Sequence, residues 1–245
     1  MLQERQQRTA DAAALKLGGI GLAIGSVVVL GCRMAHGDTP AADPQATLRF
    51  ISDRPYYASI HLGTILGVLV WVGGIVALAG TLEHRFARLL GRWGGASVLV
   101  GAAIFSLGFA IDGVAGQDLA TAWAAAPPAA QPDLVLATHI ADTMLRGPSL
   151  VAIVILWGVP LLLFGPAVML EGYPRWLGWT GLAVGALTVL GATALLLQPD
   201  LFPGVLVYGV VASILVQLWS FALGIAVWRR AGAASGATAG RRAGA

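Results

Sequence analysis

Long apolar runs alternate with short polar segments along most of this chain. A helix of roughly 20 apolar residues is long enough to cross the hydrocarbon core of a bilayer. The pattern therefore predicts six transmembrane helices, which lie at residues 15–32, 57–82, 94–116, 149–170, 177–197 and 204–228. We expect an all-α fold, an integral membrane bundle with a cytoplasmic N-terminal segment at 1–14. The glycine- and alanine-rich residues 229–245 are typical of a disordered cytoplasmic tail.

Residues 132–146 follow a different pattern, with apolar and polar positions segregated at helical spacing. His139, Asp142 and Arg146 fall on one side, and the apolar side is formed by Leu134, Ala137, Ile140, Ala141, Met144 and Leu145. This segregation predicts an amphipathic helix. We expect it either to lie along the outer interface or to extend the fourth span outward.

The composition agrees with a membrane domain and excludes other classes. The chain has 245 residues, of which 57% are hydrophobic and only 11% are charged. A soluble domain is about a quarter charged, so polar side chains are too few to cover a soluble surface. The net charge is +3, but no basic cluster with interleaved aromatic residues is present, which argues against nucleic-acid binding. The lipid bilayer is the expected partner.

Lysine and arginine are distributed unevenly between the two sides of the predicted bundle. The outer segments hold four, and the inner segments hold eleven, namely Arg5, Arg8, Lys16, Arg85, Arg88, Arg92, Arg175, Arg229, Arg230, Arg241 and Arg242. Because positive residues favour the cytoplasmic side, this bias predicts that both termini are cytoplasmic.

The single cysteine, Cys32, allows two interpretations of the first span. The sequence Val29-Leu30-Gly31-Cys32 is similar to a lipoprotein cleavage site, which would make Cys32 a lipidated residue. The leading segment is long and carries acidic residues, however, and five further spans follow. We therefore favour a first transmembrane helix, with residues from 33 onward on the outer side.

His61 and Asp112 are the strongest candidates for chemistry. Each is an ionisable residue about one turn inside the outer end of an apolar span, at a depth of roughly 6 Å. Spans two and three run in opposite directions, so adjacent helices would bring the imidazole and the carboxylate together. Such a pair is typical of a metal site, a proton relay or a catalytic acid–base couple, and equally of a structural contact that fixes helix register.

His139 and Asp142 are three residues apart on one helical face, a spacing that can chelate a metal. Together with His61 and Asp112 they would form a site with two histidines and two carboxylates for a divalent transition metal. The alternative is that His139 is solvated and that Asp142 pairs with Arg146. A haem held by His61 and His139 is less favoured, because His139 is expected above the hydrocarbon; His36 is predicted to lie in a loop and His84 on the inner side.

Several short motifs carry a resemblance. They are ASIHLGTILG around His61, FAIDGVAG around Asp112, the outer loop DLATAWAAAPPA, and YPRWLGW before the fifth span. Over roughly residues 55–195 the chain resembles a group of six-helix bacterial inner-membrane proteins, common in GC-rich actinobacterial genomes, with no established activity. The resemblance implies the fold and a bacterial cell membrane, and it implies no reaction.

Three functional hypotheses follow. The first is a membrane-embedded enzyme or redox accessory that acts on a lipophilic small molecule through His61 and Asp112 near the outer leaflet. The second is a non-catalytic scaffold, immunity or assembly protein, which the glycine pairs favour. The third is a small-molecule carrier, for which the polar Gln217 is the main indication.

Overall fold

The computed structural model describes the backbone of residues 2–40, 42–201 and 204–243 and the side chains of residues 12–40, 42–201 and 213–232. Within these ranges the chain forms seven continuous helices and no strand. They are α1 (Leu2–His36), α2 (Pro44–Ser52), α3 (Tyr57–Gly80), α4 (Arg85–Ala125), α5 (Gln131–Leu170), α6 (Arg175–Leu197) and α7 (Gly204–Ala243). The predicted all-α class is confirmed.

Five helices are long and apolar enough to cross a membrane: α1 from Ala12 onward, α3, α4, α5 and α6. The sixth predicted span, 204–228, coincides with part of α7, but the side chains of residues 204–212 lie outside the described part of the chain. The sixth span and the disordered tail at 229–245 therefore stay predictions.

The described part of the chain has seven helices instead of the expected six, and of the two alternatives for the amphipathic segment it shows the one that extends the fourth span. Residues 132–146 are the first part of α5, which continues into the fourth span without a break. Pro148 lies inside the helix, and a π-helical turn at Val154–Gly158 follows it. A neighbouring π-turn or helix can accommodate the missing proline donor, so the helix need not end there.

The additional helix is α2, in the segment predicted to be an outer loop. Asp43 begins it, because its Oδ1 atom accepts hydrogen bonds of 3.0 Å from the backbone N–H groups of Gln45 and Ala46. Leu48 and Ile51 are buried on its inner face. They form a small apolar cluster with Tyr57, Ala120 and Trp123, which we name the cap cluster.

Glycine residues allow the backbones of neighbouring helices to approach closely. Gly25 of α1 lies against the backbone of Trp71 in α3, and a Cβ atom at Gly25 would be 2.6 Å from the Trp71 nitrogen. On its other side α1 meets α7 through Gly19 and Gly224. Such close backbone contacts are possible only where a residue has no side chain. The glycines therefore fix the position of α1 between α3 and α7.

The two ends of the bundle differ. One end, which we name the site end, contains His61, Asp112 and the cap cluster. Helix α4 begins at the opposite, arginine-rich end. There the Glu171 carboxylate accepts hydrogen bonds of 2.7 Å from the backbone N–H groups of Glu83 and His84. These bonds satisfy helix-start donors that have no partner within the helix.

Candidate metal centre

His61 is held in a fixed orientation at the site end. It lies in the second turn of α3, and only 2% of its surface is exposed. Its Nδ1 atom is 2.9 Å from the backbone oxygen of Tyr57, one turn earlier. A carbonyl oxygen only accepts hydrogen bonds, so Nδ1 carries the proton and donates it. In the neutral ring Nε2 is consequently the unprotonated nitrogen, and its lone pair can accept a proton or bind a metal ion.

The predicted contact between His61 and Asp112 is present. The Nε2 atom of His61 lies 3.1 Å from Oδ2 of Asp112. The Tyr57 hydroxyl donates a hydrogen bond of 3.3 Å to Oδ1 of the same carboxylate. Both carboxylate oxygens thus have partners on α3, and the pair joins the beginning of α3 to the middle of α4.

The local fold of α4 explains how Asp112 reaches this position. Residues Ile111–Ala115 form a π-helical turn within the otherwise α-helical segment. Such single-turn bulges shift the direction of the side chains that follow them and occur frequently at functional sites. Gly113 packs directly on the His61 ring, and a Cβ atom at this position would lie 2.5 Å from the His61 Cβ. Glycine is therefore required for α4 to approach α3 this closely.

The contact between His61 and Asp112 needs a positive charge between its two atoms. With a proton on Nδ1, a neutral imidazole presents a lone pair to an ionised carboxylate, and both atoms are acceptors. Either a proton lies between Nε2 and Oδ2, or a metal ion takes its place. The arrangement can therefore exchange one for the other, which makes metal binding compete with protons.

His36 is a third residue of the site, and the sequence interpretation missed it. The prediction that His36 lies in a loop is wrong, because α1 continues past Cys32 and His36 is its last residue. The His36 ring is centred 5.0 Å from the His61 ring and 5.1 Å from the Tyr57 ring. The spacing of four residues from Cys32 to His36, one further helical turn, was the available signal.

The orientation of His36 resembles that of His61. Its Nδ1 atom lies 2.8 Å from the backbone oxygen of Gly37 and donates to it. Gly37 has a φ of +70°, a left-handed conformation that glycine adopts without strain and that ends the helix. Both imidazoles therefore use Nδ1–H to bond a carbonyl, an arrangement that commonly orients metal-binding histidines.

His36, His61 and Asp112 together offer three ligand atoms that all lie within 4.8 Å of one another. Donors bound to one transition-metal ion at about 2.1 Å are roughly 3–3.5 Å apart. The His61–Asp112 distance already matches this range, so binding requires only a small inward movement of His36. Two histidines and one carboxylate fit Zn²⁺ or Fe²⁺ and leave coordination positions open.

His139 and Asp142 lie on α5 and are not members of this group of three. His139 is exposed, whereas Asp142 is partly buried. The Oδ2 atom of Asp142 is inaccessible to solvent and has no hydrogen-bond partner among the described residues. The Asp142 carboxylate interacts electrostatically with Asp112 and His139. Their role as metal ligands stays a prediction.

Aromatic side chains enclose the site on its inner side. The Phe109 ring is centred 5.2 Å from the His61 ring and stacks on Phe105 at 4.0 Å. Trp157 of α5 contacts Phe105 in turn. These rings exclude water below His61, while the side chain of Asp112 is 41% exposed. The centre is therefore buried on the side of His61 and open to the surface of the bundle at Asp112.

No protein-family model, no curated protein and no solved structure matches the chain.

Proposed function

We propose that this chain is a multi-pass membrane protein that holds a transition-metal ion between His36, His61 and Asp112. With that ion it acts on a lipophilic small molecule, as a membrane-embedded enzyme or a redox accessory. The observation that carries this proposal is the convergence of three ligand atoms from three helices within 4.8 Å.

The chain's own residues have distinct roles in this proposal. The two imidazoles bind the ion through Nε2, because a backbone carbonyl holds each Nδ1 proton. The carboxylate of Asp112 supplies a negative charge, and Tyr57 fixes its orientation through Oδ1. When bound, the metal supplies Lewis-acid or redox chemistry at its open positions.

The surroundings of the centre support a lipophilic substrate. Apolar residues on α4 next to the carboxylate, Ile111 and Val114, are exposed on the surface of the bundle. The side chain of Asp112 is itself 41% exposed beside them. In a bilayer this surface meets lipid, so a membrane-dissolved molecule reaches the centre from the side without crossing a polar surface.

A second candidate function is structural. The hydrogen bonds of His61 to Tyr57 and Asp112 form a complete network without a metal, if a proton lies between Nε2 and Oδ2. Such a network fixes α3 against α4 and would suit a scaffold or assembly protein. Intramembrane polar contacts of this kind stabilise a helix pair by about 0.6–2 kcal/mol.

Metal analysis of the full chain distinguishes the two candidates. The protein is purified in detergent, stripped with a chelator and titrated with Zn²⁺ or, without oxygen, with Fe²⁺. We expect about one ion per chain and a loss of affinity of at least about 100-fold in His36→Ala and in His61→Ala, since each removes one ligand. Proton release upon binding is a second readout.

His84→Ala is the matched control, because His84 lies at the opposite, arginine-rich end and only caps α4. Its affinity should equal that of the unchanged protein. His139→Ala tests whether the ligand set extends to α5. Failure of the unchanged protein to bind either ion would refute the metal proposal and favour the structural role, and a haem absorption band would replace the mononuclear centre with a haem site.

A further inference from the structure

The contact between α1 and α7 contains polar side chains that have no partner. Ser26 is 2% exposed, Gln217 is 1% exposed and Ser220 is fully buried. Within the described part of the chain, neither hydroxyl oxygen is hydrogen-bonded, and neither the oxygen nor the nitrogen of the Gln217 amide is. A buried polar group without a hydrogen bond is costly, so each such group calls for a missing partner.

The register of the two helices places these side chains together. A Cβ atom at Gly19 would lie 2.7 Å from the Gly224 oxygen, and one at Gly224 would lie 2.7 Å from the Gly19 oxygen. The same contacts show that the helices are antiparallel, since Gly19 also approaches Trp228 while Gly224 approaches Ala23. This pair of glycines therefore defines a common level on both helices.

Ser26 lies seven residues after Gly19, and Gln217 lies seven residues before Gly224. Seven residues are about two helical turns and return to the same face. Ser26 and Gln217 consequently lie on facing sides at one level, with Ser220 one turn nearer to the glycines. Neither side chain makes a hydrogen bond within the described part of the chain.

A third helix brings another unpaired donor to this level. Gly25, next to Ser26, packs on the backbone of Trp71 in α3. The indole Nε1 of Trp71 is buried and also has no hydrogen-bond partner. Trp71, whose backbone packs on Gly25, thus adds an unpaired donor from a third helix beside this contact.

We propose that these side chains bind internal water between α1, α7 and α3. The groups are two hydroxyls, one amide and one indole N–H, so they offer both donors and acceptors and carry no charge. A buried water typically makes about three hydrogen bonds and is found where polar groups would otherwise be unpaired. An ion has no counter-charge here, which makes it a poor occupant.

The site is separate from the proposed metal centre. Ser26 lies ten residues before His36 on α1, a distance of about 15 Å along the helix. It falls near the middle of the apolar stretch Ala12–His36. The water therefore lies deep within the membrane, and the proposal holds or fails independently of metal binding.

Solid-state NMR of the full chain in lipid bilayers tests the proposal directly. Magnetisation is transferred from water to side chains in protein labelled with ¹⁵N at glutamine and tryptophan. The Gln217 amide signal is assigned by its loss in Gln217→Leu. Exposed Gln45 is the wet reference, and Trp219, whose Nε1 donates to the Leu177 oxygen at 2.7 Å, is the dry reference. We expect Gln217 to receive magnetisation clearly faster than Trp219, and an equally slow transfer would overturn the proposal.

A double-mutant cycle of Ser26→Ala and Gln217→Leu gives a second, independent readout. Shared water couples the two positions, so the shifts in thermal midpoint are non-additive although the side chains do not touch. If the layer is dry, each substitution removes an unpaired group, and both raise the midpoint additively, by roughly 2–4 °C each. The control cycle pairs Ser26→Ala with Thr188→Val on α6, where additivity is expected.

Discussion

Two layers of this bundle contain polar groups within an apolar interior, and they differ in whether those groups have hydrogen-bond partners. At the site end, His61, Tyr57 and Asp112 are joined by three hydrogen bonds, one within α3 and two between α3 and α4. In the layer between α1 and α7, Ser26, Gln217 and Ser220 have no partner within the described chain. Polar groups in an apolar interior need a partner, either from the protein or from a bound molecule.

The difference in chemistry follows from charge. The site end contains ionisable groups and an exposed carboxylate edge, so it can bind a cation and exchange protons. The layer between α1 and α7 contains only neutral groups in a closed contact, so it suits water. The first layer is therefore the candidate for metal or acid–base chemistry. The second is the layer in which the proposed water would make the missing hydrogen bonds.

The largest expected effect comes from Gly113→Ala. The added Cβ would lie 2.5 Å from the His61 Cβ, which forces α4 away from α3. We expect a loss of stability of about 1–3 kcal/mol, typical of overpacking, together with weakened metal binding. Thermal unfolding in detergent measures the first and ion titration the second.

Gly108→Ala is the control for this substitution, because no atom lies within 4 Å of the position that its Cβ would occupy. It should be neutral or slightly stabilising, as alanine favours helix more than glycine does. Equal effects of both substitutions would contradict the close contact between Gly113 and His61.

A double-mutant cycle of His61→Ala and Asp112→Ala measures the satisfied layer itself. In metal-free protein we expect a coupling free energy of about 0.6–2 kcal/mol, the range for polar contacts between membrane helices. A coupling free energy near zero would mean that the contact between His61 and Asp112 does not stabilise the bundle.

Tyr57→Phe should have the smallest effect. It removes the hydroxyl, which makes the 3.3 Å hydrogen bond to Asp112 and a further interaction with Thr39, and keeps the ring in the cap cluster. We expect a loss of metal affinity of about tenfold, the lower end for a residue that orients a ligand, and less than about 1 kcal/mol in stability. An unchanged affinity would show that Tyr57 does not orient the carboxylate.

The sequence predicted the pair of His61 and Asp112 because depth in a membrane helix can be counted. Both lie about one turn inside an apolar run, and adjacent runs alternate in direction. It did not predict His36, since the first span was ended at Cys32, one helical turn before His36. The π-helical turn at Ile111–Ala115 was also unforeseen, because a bulge depends on what packs against the helix.

The extent of α5 illustrates the same limit. Residues 132–146 show helical periodicity, but periodicity alone leaves open whether the segment is separate or continuous with the fourth span. The structure shows one helix from Gln131 to Leu170, with Pro148 inside it. The interruption is tolerated because a proline removes a single backbone donor, which neighbouring turns can accommodate.

The sequence by itself indicated the helical class, five of the six apolar spans and the pairing of His61 with Asp112. These features follow from hydrophobicity and length along one dimension. Only the tertiary structure brought His36 to that pair and set the register of α1 against α7 at Gly19 and Gly224. Such meetings depend on how helices rotate and on where glycines let their backbones touch, and neither is encoded in the pattern of a single segment.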